Sequence, residues 1–435
     1  MKKKLFAVVL LLFAITVFCS CNNEDAPEHS MGYEETTETS VIETTAAQVD
    51  PFLEVRESGE EWLKYGLSAF ESGKEPKDLK DFFSEKANIG YLTLYDHMFI
   101  FDKEKSISIA EALFYYICNE YGVEALLDIN KRTEYKTEYL KSLGLESQYP
   151  QQKEVESFLS SMDFSSNETY KYIFSFDNIT YYFKDFGAGS PAQYHGFLYY
   201  STLGLREMAE YINENDKGEL FDTEREFNFY MTFDGSGYSK TIISTGDMYI
   251  NDSYSALHEA VHAMGIKTNA NIWLSEGICN YFGKALGFND QIAALHCQLF
   301  SMAKQGYFDE RAKAGDEEAI VSKREYEEYT KRGGTFDSFD KFDMRLYYDV
   351  SAKIELETGK YKTLGEAYEI VNKKECNSVG KELSYNQTTS LVMYIVEHYG
   401  LEKLLQAYET QDEIDAFGKN YETLKAEWLD YLKNK

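Results

Sequence analysis

The stretch His258-Glu259-Ala260-Val261-His262 sets two imidazoles four residues apart around a glutamate, in a chain of 435 residues that has 7 histidines. On an α-helix, positions i and i+4 share a face, so both rings can reach one ion while Glu259 leans toward a water beside it. That pattern points to zinc-dependent hydrolysis, which needs a third protein ligand and one open position for water. The residues just downstream supply a third ligand. Gly265 stands where a helix would end, a polar loop runs from Ile266 to Asn271, and Asn271 or Ser275 can begin a second helix. With Leu274, Ile278, Tyr281 and Phe282 as its inward stripe, that helix would send Glu276 from its first turn toward the histidines. The expected centre is one zinc ion held by His258, His262 and Glu276, with Glu259 as the base.

A purely structural zinc site is closed by four ligands and is rich in cysteine. Cys279 and Cys297 are the nearby thiols; Cys279 reads as a small buried residue, and His296 beside Cys297, in the apolar stretch Ile292 to Phe300, as helix packing.

Taken with Trp273-Leu274-Ser275-Glu276-Gly277, the motif resembles the gluzincin metallopeptidases, the thermolysin-like and aminopeptidase-like zincins, over roughly Ser253 to Leu286. The resemblance implies that His258, His262 and Glu276 bind the metal. Glu259 would then polarise the attacking water and deliver its proton to the leaving amine. It also implies that Asn280, one turn beyond Glu276, orients a ligand histidine. A tyrosine from the C-terminal helical part would donate to the oxyanion: Tyr385, opening a helix to Tyr399, with His398, Tyr347 and Tyr348 as alternatives. The fold implied is α+β, a mixed sheet packed on the zinc helix plus a mostly helical C-terminal subdomain. Thr268 stands where a metzincin would have its third histidine, which argues against that group. The stretch Thr245-Gly246-Asp247-Met248-Tyr249-Ile250-Asn251 lacks the glutamate with which gluzincin aminopeptidases bind an amino terminus, so endopeptidase activity is favoured.

The amino terminus suggests an address. Lys2, Lys3 and Lys4 precede an apolar run from Leu5 to Phe18, the form of a secretory signal, and Phe18-Cys19-Ser20-Cys21 resembles a bacterial lipobox. Residues 1–20 are read as a lipoprotein signal, with Cys21 lipidated and the protein held on the outer face of the membrane. Residues 21–50, rich in threonine and glutamate, read as a flexible tether. Residues 51–165 are expected to form an additional, largely helical N-terminal region, and residues 166–435 the peptidase domain.

A formal charge of -30 excludes nucleic-acid binding as a working expectation, leaving a peptide or protein as the substrate. Cys118, Cys279, Cys297 and Cys376 have no framework-like spacing. Strands are expected within Tyr170 to Phe186, Phe227 to Phe233 and Lys240 to Asn251. Helices are expected over Leu286 to Lys304, Asp343 to Glu357 and Leu424 to Leu432. Tyr121-Gly122-Val123-Glu124 recurs as Tyr399-Gly400-Leu401-Glu402, read as one turn design used twice. Two further readings stay open: a surface-binding lipoprotein that keeps the fold without turnover, and a zinc amidase acting on cell-wall peptides.

Overall fold

The computed structural model describes residues 50–84, 103–128, 131–145, 155, 158–159, 161–184, 191–216, 220–232, 239–265, 271–288 and 290–435. The expected signal, Cys21 and the expected tether up to residue 49 lie outside the described residues. Contacts divide the chain at about residue 153 into two compact units.

The N-terminal unit is helical: α1 (Leu53–Glu57), α2 (Glu61–Glu71), α3 (Lys80–Ser84), α4 (Lys103–Tyr121), a 3-10 turn (Val123–Leu127) and α5 (Arg132–Ser142). α2 and α4 pack together through Trp62, Leu63, Leu67, Ile109, Leu113 and Phe114, all buried. Glu60 ties the unit's polar edge, accepting from Trp62 Nε1 at 2.8 Å and from Arg132 Nη2 at 2.7 Å.

The second unit is mixed α+β. Its six strands are β1 (Asp163–Ser165), β2 (Tyr172–Phe176), β3 (Ile179–Phe183), β4 (Phe227–Met231), β5 (Lys240–Ile242) and β6 (Asp247–Ile250), in the order β1-β2-β3-β4-β6-β5. β3, β4 and β6 run parallel, and antiparallel partners flank them. Helix α6 (Pro191–Asp216) provides the crossover from β3 to β4 that a parallel pair needs. Strand side chains alternate between faces, and in the parallel strands β3, β4 and β6 the burial alternates strictly. Ile179, Tyr181, Phe183, Phe227, Phe229, Met231, Met248 and Ile250 are buried on one face. Tyr181 stacks on Phe229 and bonds Ser201 and Thr202 of α6 at 2.9 and 3.0 Å, fixing that helix to the sheet. The opposite face carries Tyr182, Tyr230 and Tyr249, stacked in sequence with centroids 4.7 and 5.2 Å apart, with Lys240 over the end of the row. Such cross-strand aromatic pairs pin register.

Three expectations are corrected. Lys240 to Asn251 is a hairpin and not one strand, because Gly246 takes φ +76° and its amide bonds Ile242 O at 2.7 Å, turning the chain between β5 and β6. Asp163–Ser165, near the expected N-terminal boundary at 165, is the outermost strand of the sheet. The expected helix from Leu286 starts instead at Asp290, preceded by a π-helical turn (Tyr281–Ala285).

After β6 come α7 (Ala256–Met264) and α8 (Ile272–Asn280), the π-turn, then α9 (Asp290–Lys304), α10 (Asp309–Lys313), α11 (Glu317–Lys331) and α12 (Met344–Thr358). They continue as α13 (Leu364–Asn372), α14 (Tyr385–Tyr399), α15 (Leu401–Thr410), α16 (Glu413–Phe417) and α17 (Tyr421–Asn434). α7 lies against β5 and β6, while α14 packs between α8 and α12. Among the described residues no helix is long and apolar enough to cross a membrane.

Candidate metal centre

α7 carries His258, Glu259 and His262, and α8 carries Glu276. α8 begins at the Asn271 cap, so Glu276 lies in its second turn and not its first. Gly265 ends α7, but in extended backbone (φ −77°) and not in the left-handed conformation of a glycine cap. Its residue pairs with Phe221 in an isolated bridge, and a Cβ there would lie 3.0 Å from the Tyr408 hydroxyl.

Two absent side chains let the elements close on each other. A Cβ on Gly277 would fall 2.5 Å from Val392 and 2.8 Å from Thr388, so α8 lies flush on α14. A Cβ on Gly283 would fall 2.6 Å from the His258 amide, so the π-turn lies flush on α7. π-turns occur often at functional sites.

Glu276 Oε2 is 3.1 Å from His258 Nε2 and 3.4 Å from His262 Nε2. The ligand atoms of all three residues lie within 4.8 Å of one another. Ligands about 2.0–2.1 Å from a tetrahedral zinc stand about 3.3 Å apart, so the two measured edges fit such an ion. Asn280 Oδ1 lies 2.9 Å from His258 Nδ1. Accepting the Nδ1 proton leaves the Nε2 lone pair facing Glu276, the tautomer a metal needs. Burial opposes the charge on Glu276, but the imidazoles of His262 and His258 outweigh it and hold the carboxyl well below the usual range. By residue type and proximity the trio offers one carboxylate oxygen and two ring nitrogens, a donor set suited to a borderline-soft divalent cation once the rings are neutral.

Cys279 is 4% exposed and sits within hydrogen-bonding reach of the His262 ring, with burial pushing its thiol up. Its sulfur is not part of the trio. His296 lies elsewhere, its ring packed on Phe342 and Tyr347; burial and the charge of Lys284 push it down to about 3, so it is a neutral stacking ring. Tyr347 and Tyr348 are buried in that helical core, and His398 stacks on Tyr394.

Glu259 Oε2 accepts a hydrogen bond from Thr241 Oγ1 at 2.7 Å. Tyr385 opens α14 with its ring 5.9 Å from the His258 ring. The charge of Glu276, followed by burial and Glu259, pushes the Tyr385 phenol well above its ordinary value. It is held as a hydroxyl donor.

These groups line a cleft of about 520 Å³. One side is β5 with Ser239, Lys240 and Thr241; the other is the inner face of α13, with Leu364, Ala367, Tyr368 and Val371. A larger groove of about 820 Å³, by Asp177, Glu210, Glu214 and Glu224, has no histidine or cysteine in its walls. Thr241 and the α13 wall were not anticipated from sequence. The usable signals were the turn-forming Ser244-Thr245-Gly246 before β6 and the Thr363-Leu364-Gly365-Glu366 capping box.

Compared with protein families, curated proteins and solved structures, the chain matches none.

Proposed function

We propose that the second unit is a gluzincin-like zinc metallopeptidase that hydrolyses internal peptide bonds. The observation that carries this reading is the pair of contacts from Glu276 Oε2 to the Nε2 atoms of His258 and His262, 3.1 and 3.4 Å, with Glu259 in the same cleft. A zinc ion held by His258, His262 and Glu276 would supply Lewis acidity toward the scissile carbonyl and the attacking water.

The chain's own groups then divide the work. The Glu259 carboxylate takes the proton of the water as its oxygen bonds the carbonyl carbon, and returns that proton to the nitrogen as the C–N bond breaks. Tyr385 donates its hydroxyl proton in a hydrogen bond to the oxygen on which charge develops. Thr241 holds Glu259, and Asn280 holds the His258 ring. β5, at the end of the sheet beside the cleft, offers main-chain groups with which an extended peptide can pair. Export and anchoring through a lipidated Cys21 are part of the same proposal and rest on the sequence.

The test is metal analysis joined to peptide-library digestion. The wild-type protein is expected to hold one zinc per chain and cleave within peptides. Glu259→Gln should keep the metal and lose turnover, whereas Glu276→Ala should lose both. Turnover retained in Glu259→Gln would refute the base, and stoichiometric zinc with no cleavage would favour a binding protein.

A further inference from the structure

Glu355, on α12, is 8% exposed, and its carboxylate accepts hydrogen bonds from Ser384 Oγ and from Asn386 Nδ2, the latter at 2.9 Å. Those two residues bracket Tyr385. Ser384 also caps α14, its Oγ accepting the Gln387 amide at 3.0 Å. A serine hydroxyl has one proton; giving it to Glu355 leaves the oxygen's lone pairs for the cap. A serine cap needs no carboxylate behind it. Burying a carboxylate is costly unless it is fully hydrogen-bonded, so its presence at this turn has a consequence beyond starting a helix. The Tyr385 main chain is gripped from the other side as well. Its carbonyl accepts Thr389 Oγ1 at 2.7 Å and Asn280 Nδ2 at 3.5 Å, and Asn280 is the residue that holds His258.

We infer that Glu355 is a positioning residue: by clamping Ser384 and Asn386 it fixes the backbone of Tyr385 and so aims the phenol at the metal-binding trio. The inference rests on the metallopeptidase reading for Tyr385's role. A displacement of about 1 Å at a reacting group costs about a hundredfold in rate, so a clamp on the flanking residues is enough to matter.

The experiment compares Tyr385→Phe, Glu355→Ala, Glu355→Gln, Asn386→Ala and the double variant Glu355→Ala/Tyr385→Phe, all full-length and zinc-loaded. Glu355→Ala is expected to lower kcat by about tenfold to a hundredfold with KM little changed. The double variant should be no slower than Tyr385→Phe alone, because both changes remove one interaction. Glu355→Gln, which keeps one of the two acceptor oxygens, should recover part of the rate and fall between wild type and Glu355→Ala. Asn386→Ala loosens one arm without touching the serine cap, which keeps the test open if Glu355→Ala folds poorly. Losses that multiply in the double variant, or a Glu355→Ala protein that is only less stable, would overturn the clamp.

A second readout needs no turnover: the affinity of a phosphinic peptide, a tetrahedral mimic, by calorimetry. Glu355→Ala and Tyr385→Phe should weaken it equally. If the wild type cleaves nothing, the peptidase reading fails, while the affinities still decide the clamp: equal losses support it and unchanged affinity sinks it. No binding of the mimic to zinc-loaded wild type would sink both.

Discussion

Thr241 Oγ1 lies 2.7 Å from Glu259 Oε2, so an edge strand of the sheet holds the carboxylate that α7 places between His258 and His262. Thr241→Val keeps the shape of the side chain and removes the donor. The expected outcome is a fall of about tenfold in kcat with zinc content unchanged, corresponding to about 1.4 kcal/mol. Steady-state kinetics beside metal analysis checks it, and an unaltered kcat would show that the carboxylate needs no such support.

Asn280 holds His258 through the ring nitrogen opposite the one facing Glu276. Removing a partner of this kind costs about 10–100-fold in metal affinity. Asn280→Ala is expected to show that loss in competition with a chelating dye, and Asn280→Asp, which keeps an acceptor, to show little. Equal affinity in wild type and Asn280→Ala would mean the ring is oriented by something else.

On the α13 side of the cleft Leu364, Ala367, Tyr368 and Val371 form an apolar patch, the last two half-buried, with Asn372 beside it. Peptides with a bulky apolar side chain beside the scissile bond should be preferred. Val371→Asp is expected to cut kcat/KM for leucine-bearing peptides by about 10–100-fold and to spare alanine-bearing ones. A cleavage profile that stays the same in this variant would place the selecting pocket elsewhere.

How far the site was legible depends on what each residue's signal was. The spacing of His258 and His262 is a helix-face statement, and their neighbours on α7 and α8 follow from local pattern. The structure brings Glu276 and Asn280 to these rings because both stand on one face of α8, four residues apart. Tyr385 arrives from over a hundred residues away, and only the resemblance pointed to it. Thr241 was hidden because its partner Glu259 lies 18 residues on and only the packing of β5 against α7 brings the two together. The π-turn has no composition of its own, and a run such as Tyr281-Phe282-Gly283 reads as ordinary helix. The recurring tyrosine-glycine turn was readable: Gly122 and Gly400 have φ +89° and +92° and each precedes a new helical segment. Glu355 gave no signal, since only tertiary packing sets it behind Ser384 and Asn386.

Glu325, on α11, accepts a hydrogen bond from Ser351 Oγ, and burial pushes its carboxyl from 4.5 up to about 7, the Ser351 bond opposing and the charge of Glu355 adding. A carboxyl with a raised folded-state value keeps a proton that the unfolded chain gives up. Its contribution is complete below about pH 4.5 and is lost as pH rises to about 7. Thermal unfolding across that window should show stability declining by at most ~3 kcal/mol from this group. Glu325→Gln should flatten that part of the curve; an unchanged slope would clear Glu325 of the effect.

The stacked row Tyr182, Tyr230 and Tyr249 gives the sheet a chromophore of its own. The strands contain no tryptophan, whereas Trp273 on α8 and Trp428 on α17 are fully buried among the helices. The difference in near-ultraviolet circular dichroism between wild type and Tyr230→Phe isolates the row's contribution and reports sheet order, and indole fluorescence, read with Trp62→Phe in the N-terminal unit, reports the helices around the cleft. The sheet behind Glu259 and the helices behind Glu276 thus each carry an intrinsic probe, read by substitution and without any label.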